Sequence, residues 1–106
     1  MVYMLEATYP GTKIIEASTL FIERLKSDPM PEYVKLLDSY AFAGGDGIRA
    51  ILFYEVDDGK VIEGRDYIAR GVINMLKNVE GYKADFLTVY PLAEAFQIID
   101  MQAPGV

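Results

Sequence analysis

Residues 32–56 limit the possible folds more than any other stretch. They run as an apolar arm, then Gly44-Gly45-Asp46-Gly47, then a second apolar arm. Two arms with a period near two, joined by a glycine-rich tetrapeptide, form a β-hairpin. In the second arm (48–56), Ile48, Ala50, Leu52, Tyr54 and Val56 alternate with Arg49, Ile51, Phe53 and Glu55, so both faces carry apolar groups. Such a strand is expected at the centre of a sheet with both faces covered. In the first arm (32–43), alternation assigns Tyr33, Leu37 and Ala41 to one face and Val34, Leu36, Tyr40 and Phe42 to the other. The tetrapeptide is followed by neither a helix nor a Lys-Ser/Thr pair, so it reads as a turn and not as a phosphate loop.

The flanking segments complete an α+β order. Residues 2–8 read as a strand closed by Tyr9-Pro10-Gly11. Residues 12–27 read as a helix, with Thr12 as its expected cap, Ile14, Ser18, Ile22 and Leu25 as its inner stripe, and Pro29 preventing continuation. Asp57 and Asp58 are N-cap candidates for a long helix over 59–79, with core positions Val61, Ile68, Val72, Leu76 and Val79. Asp66 and Arg70, four apart, are placed for an ion pair on its outer face. Gly81 stands where a helix often terminates. Residues 82–90 alternate as a last strand, and 92–101 have Leu92, Ala95, Phe96 and Ile99 at helical spacing. An exchanged strand is the alternative for that last segment. The order β-α-β-β-α-β plus a short helix predicts a ferredoxin-like domain over 1–106: a four-stranded antiparallel sheet with two helices on one face.

Composition closes many chemistries. The 106 residues contain no Cys and no His, which excludes disulfides, thiol chemistry, Cys- or His-ligated zinc, His-ligated haem and His-dependent triads. A net charge of −6 without a basic cluster argues against nucleic acid. No apolar run approaches the roughly 18 residues of a membrane helix, and the N-terminal segment has no signal-peptide pattern, so the cytoplasm is the expected compartment. No metal or cofactor is expected.

The apolar fraction of 52% is high for so short a chain. If Ile48, Ala50, Leu52, Tyr54 and Val56 meet the helices, the opposite sheet face carries Met4, Glu6, Arg49, Ile51, Phe53, Glu55, Asp85, Leu87 and Val89. That face is too hydrophobic for water, and a second copy packed sheet to sheet would cover it. The partner expected is therefore the chain itself, as a homodimer or higher homo-oligomer. In the segments VYMLEAT, YVKLLDSYAFAGGDGIRAILFYEV and GYKADFLTVYP, the chain resembles the dimeric α+β barrel superfamily. The resemblance implies a sheet-to-sheet dimeric barrel. Members include cofactor-free monooxygenases, haem-degrading enzymes, small dehydratases and ligand-binding proteins, so it speaks for fold more than for reaction. The chain lacks the His of haem-binding members and the Trp and His common near monooxygenase substrates. Asn74, Asn78 and the tyrosines remain.

Two sets of side chains are candidate sites. On the long helix, Gly64, Tyr67, Gly71 and Asn74 form a stripe, and each mid-helix glycine costs roughly 0.5–1 kcal/mol against alanine. A cavity between helix and sheet, with Tyr67 and Asn74 as anchors and Tyr54 and Tyr82 as aromatic walls, would explain them, as would close packing against the first helix. The second set is Glu6, Arg49, Glu55 and Asp85, either a polar site with Arg49 as an anion anchor or an ion-pair network at a dimer seam. Three functions follow: a small dimeric barrel that binds an apolar or aromatic molecule or serves assembly; a cofactor-independent monooxygenase or isomerase using Tyr67, Asn74, Tyr54 and Arg49; and a ligand-sensing regulatory module.

Overall fold

A computed structural model describes residues 1–101. The elements follow in the expected order: β1 (Val2–Tyr9), α1 (Ile14–Ser27), β2 (Val34–Gly44), β3 (Gly47–Val56), α2 (Val61–Asn78), β4 (Lys83–Val89) and α3 (Leu92–Ile98). The four strands form one antiparallel sheet in the order β2-β3-β1-β4. β1 and β3 are central, as the two-sided apolar pattern of β3 requires. The last segment is a helix and not an exchanged strand.

Side-chain alternation places Tyr3, Leu5, Ala7, Tyr54 and Val56 beneath the helices, where all five are buried. With Val34 of β2 and Tyr67 and Ile68 of α2, most of them form the core cluster. The other face has the expected composition. Its cross-strand rows are Phe53–Met4–Leu87 and Ile51–Glu6–Asp85. Among the described residues, nothing from the chain's own helices is packed across it as a second layer. The radius of gyration is 15.6 Å, against about 13 Å for a compact domain of roughly 100 residues, and the shortest dimension is 18 Å.

Four expectations are corrected. Strict alternation along β2 fails because the register slips between Leu36 and Asp38, where Leu37 is an extra residue. A bulge reverses the side-chain phase. Val34 and Leu36 pair with Val56 and Tyr54 on the helix side, whereas Tyr40 and Phe42 pair with Ile51 and Arg49 on the other. Ala41, opposite Ala50, joins the helix side. The stripe on α1 is not seated in a core: Ile14, Ile22 and Leu25 stay 39–52% exposed, and Ala17 is the helix's buried residue. Neither helix has the expected side-chain cap. Thr12 lies in a 3-10 turn over Gly11–Lys13, and Asp57 bonds through its backbone carbonyl to Lys60 N–H instead. Arg70 pairs with Asp28, 3.7 Å away on the segment after α1, and not with Asp66; that carboxylate also faces Arg24 at 3.5 Å. Gly47, after the hairpin turn, has φ +110°, and a side chain there would run into the Tyr9 carbonyl oxygen.

Candidate functional site

The register lines up four alanines in one row across the sheet: Ala41–Ala50–Ala7–Ala84. Side chains in such a row lie next to one another on the same face. Here each contributes only a methyl group, so the helices above meet no large side chains along that line. The space left is a cavity of about 510 Å³ between α1, α2 and the sheet, floored by Ala7, Ala41 and Ala50. That volume falls within the roughly 300–1,000 Å³ typical of small-molecule sites. Leu5, Leu52, Phe21, Ile68, Val72 and Met75 supply apolar wall, and Tyr9, Tyr54 and Tyr82 supply aromatic wall.

The polar groups in this wall are few. Among the described residues the hydroxyls of Tyr54 and Tyr82 have no hydrogen-bond partner in the protein. Neither hydroxyl is sealed off by protein atoms. Burial pushes the Tyr82 phenol up to about 12, with the neighbouring Tyr54 and Tyr9 phenols adding to the rise. Burial also raises Tyr54, against the opposing charge of Arg24. Both phenols are therefore neutral donors at ordinary pH. Tyr9 and Tyr82 stack at 6.2 Å between centroids, closing one side. Asn78 donates its amide to the carbonyl and Oδ1 of Asn74 at 2.8 and 3.0 Å, so the Asn74 side chain at the cavity wall keeps its own N–H₂ unengaged.

Of the helix stripe read from the sequence, Gly71 and Asn74 line this cavity with Tyr54 and Tyr82, whereas Gly64 and Tyr67 do not. Gly64 lies against the Val56 side chain, where any Cβ would overlap Cγ1. Tyr67 is turned away: its hydroxyl donates to the Asp28 carbonyl at 2.8 Å, and its ring lies under the Arg24 guanidinium at 4.2 Å. Gly71 makes room for Arg24, since a Cβ there would stand 2.5 Å from Nη1. Both glycines are thus explained by close packing, one against β3 and one against α1.

The second set is on the far face of the sheet. Arg49 pairs with Glu6, Nε to Oε1, at 3.5 Å, and Glu6 stands directly across from Asp85. Glu55 is apart from them, paired with Val2 four positions along β1 from Glu6, which is about 13 Å at strand rise. Arg49 and Tyr54 lie on opposite sides of β3, so Tyr67, Asn74, Tyr54 and Arg49 do not converge on one point. Two features escaped sequence reading. Arg24, on which the sequence reading is silent, has a side chain only 18% exposed. The alanine row could have been found by noting an alanine in every strand.

No family model matches the sequence, and no curated protein does. Several solved structures share the fold. An uncharacterized NIPSNAP domain protein from Burkholderia xenovorans superposes with a TM-score of 0.53 at 13% identity, covering 85% of this chain and 95% of that one. A NIPSNAP family protein from Agrobacterium tumefaciens C58 gives 0.51 at 16% identity, covering 85% and 94%. A formyltetrahydrofolate deformylase from Pseudomonas putida KT2440 gives 0.51 at 9% identity, covering 84% of this chain but only 29% of the deformylase. At these identities the likeness shows the fold, which is ferredoxin-like.

Proposed function

We propose that this protein binds a small, largely apolar molecule in the cavity above the alanine row, and that it does so as a homodimer joined through the outer sheet face. The binding reading rests on one observation: an apolar space of about 510 Å³ onto which buried Tyr54 and half-buried Tyr82 open hydroxyls that, among the described residues, no protein group engages.

The dimer reading rests on area. The accessible surface is 7233 Å², whereas a folded monomer of 11.9 kDa exposes about 6,000 Å². The excess, roughly 1,200 Å², exceeds the ~800 Å² that each partner buries in an interface of standard size. Tyr40, Phe42 and Leu87 on the outer face are about half exposed, so apolar surface is available there. The Glu6–Arg49 pair would lie within or beside that seam and set its register more than its strength.

Native mass spectrometry of gently desalted protein tests both parts. A mass of twice 11.9 kDa with one reproducible adduct per chain is expected. A monomer would overturn the dimer. Absence of any adduct, together with no melting shift across a panel of aromatic and aliphatic compounds, would overturn the binding reading.

A further inference from the structure

We infer that the cavity's ligand carries one carboxylate, received by Arg24 and Tyr54, on an otherwise apolar body; this rests on the binding reading above. Arg24 is the one charged side chain among the described residues lining the cavity, and no carboxylate lines it. Its charge is incompletely compensated. Asp28 lies 3.5 Å from Arg24 and 3.7 Å from Arg70, so one carboxylate serves two guanidinium groups.

The guanidinium is fixed in place but only partly used. Nη2 donates to the Tyr67 carbonyl at 2.5 Å and faces Asp28 at 3.5 Å, and the Tyr67 ring supports it from below. Among the described residues, Nε and Nη1 have no hydrogen-bond acceptor. A guanidinium has five N–H donors in a fixed fork, and a carboxylate is the group that takes two of them at once. Gly71 lets the guanidinium lie close against α2 at the cavity wall, since a Cβ there would stand 2.5 Å from Nη1 and 3.3 Å from Nε. Tyr54 is the second donor: only 8% exposed, it opens its hydroxyl to the same space and lies close enough to feel the Arg24 charge.

The rest of the molecule opposes this preference, which makes it diagnostic. With a net charge of −6, the chain as a whole repels anions, so any preference for an anion must be local. Naphthalene-2-carboxylate and naphthalene-2-carboxamide share shape and apolar body and differ in charge. Their binding to the purified full chain at neutral pH can be compared by naphthalene fluorescence. The acid is expected to bind roughly 10- to 100-fold more tightly than the amide, the range for a charged hydrogen bond. R24Q should remove most of that ratio, and Y54F should reduce it severalfold, in both variants through the acid's affinity and not the amide's. Because the acid-to-amide ratio in the unaltered protein stands by itself, poor folding of R24Q would not rescue or sink the inference. Equal binding of the two compounds would overturn the carboxylate while leaving the cavity reading intact. Failure of both compounds to bind or compete would overturn the two readings together.

Discussion

Replacing Gly64 by alanine should destabilise the protein, although the same change in an exposed helix would stabilise it. Gly64 lies within α2 and is buried. Helix propensity alone favours alanine by about 1 kcal/mol. Against that, the new methyl would overlap Val56 Cγ1 and stand 2.9 Å from Cγ2. Val56 cannot give way easily. Its exposure is 0%, it pairs with Val34 across the β2–β3 ladder, and it belongs to the core cluster. Overpacking of this kind costs about 1–3 kcal/mol. Overlap with Cγ1 together with the 2.9 Å approach to Cγ2 puts this cost in the upper part of that range, about 2–3 kcal/mol, so the balance is a net loss of about 1–2 kcal/mol, or a fall in Tm of roughly 5–15 °C for a chain of this size. Thermal unfolding by circular dichroism, at one fixed protein concentration, measures it. The decisive comparison is the same substitution in a Val56→Ala background, where both Cγ overlaps are removed and only a tight Cβ contact of 3.1 Å remains. There Gly64→Ala should range from neutral to stabilising by about 1 kcal/mol, so the coupling between the sites is roughly 1–3 kcal/mol. A higher Tm for Gly64→Ala alone, or an equal effect in both backgrounds, would refute the packing explanation.

Other outcomes follow from the same geometry. Gly71→Ala meets only the end of the Arg24 side chain, so its stability should stay within about 1 kcal/mol of the parent, where gain in propensity offsets displacement of the guanidinium; a loss as large as that of Gly64→Ala would contradict it. Ile51→Asp places a charge at the centre of the outer face and should convert a species of twice 11.9 kDa into one of 11.9 kDa with its helical signal unchanged, as sedimentation would report; persistence of the dimer would point to another interface. Tyr82 holds its proton to about 12 in the folded chain against 10.0 ordinarily, so its contribution is complete below pH 10 and is lost as pH rises toward 12. Urea midpoints should therefore fall across that window, less steeply in Tyr82→Phe, and an identical slope in both proteins would count against the burial of this phenol. Gly47→Ala forces φ +110° on a residue with a side chain and drives its Cβ into the Tyr9 carbonyl, so a loss of about 1–3 kcal/mol or more is expected in chemical denaturation.

The amino-acid sequence by itself determined the element order, the centrality of β3 and the composition of the outer face. Those features depend on steric periods that repeat every two or about four residues, and Ile48 to Val56 carries its own pattern wherever it pairs. It also marked Gly64 and Gly71 as unusual, since a glycine within a helix needs a compensating contact. Tertiary structure decided what that contact was. Val56 and Arg24 are near α2 in space but not in the chain, and no local rule couples them. The same holds for the bulge at Leu37, which separates Leu36 from Tyr40 and Phe42 although they share a parity. It holds above all for the cavity. Ala7, Ala41 and Ala50 are unremarkable singly, and they become a floor only when the strand registers bring their methyl groups into one row. Register is set by hydrogen bonding between segments far apart in sequence, so a space bounded by all of them appears only once the sheet has closed.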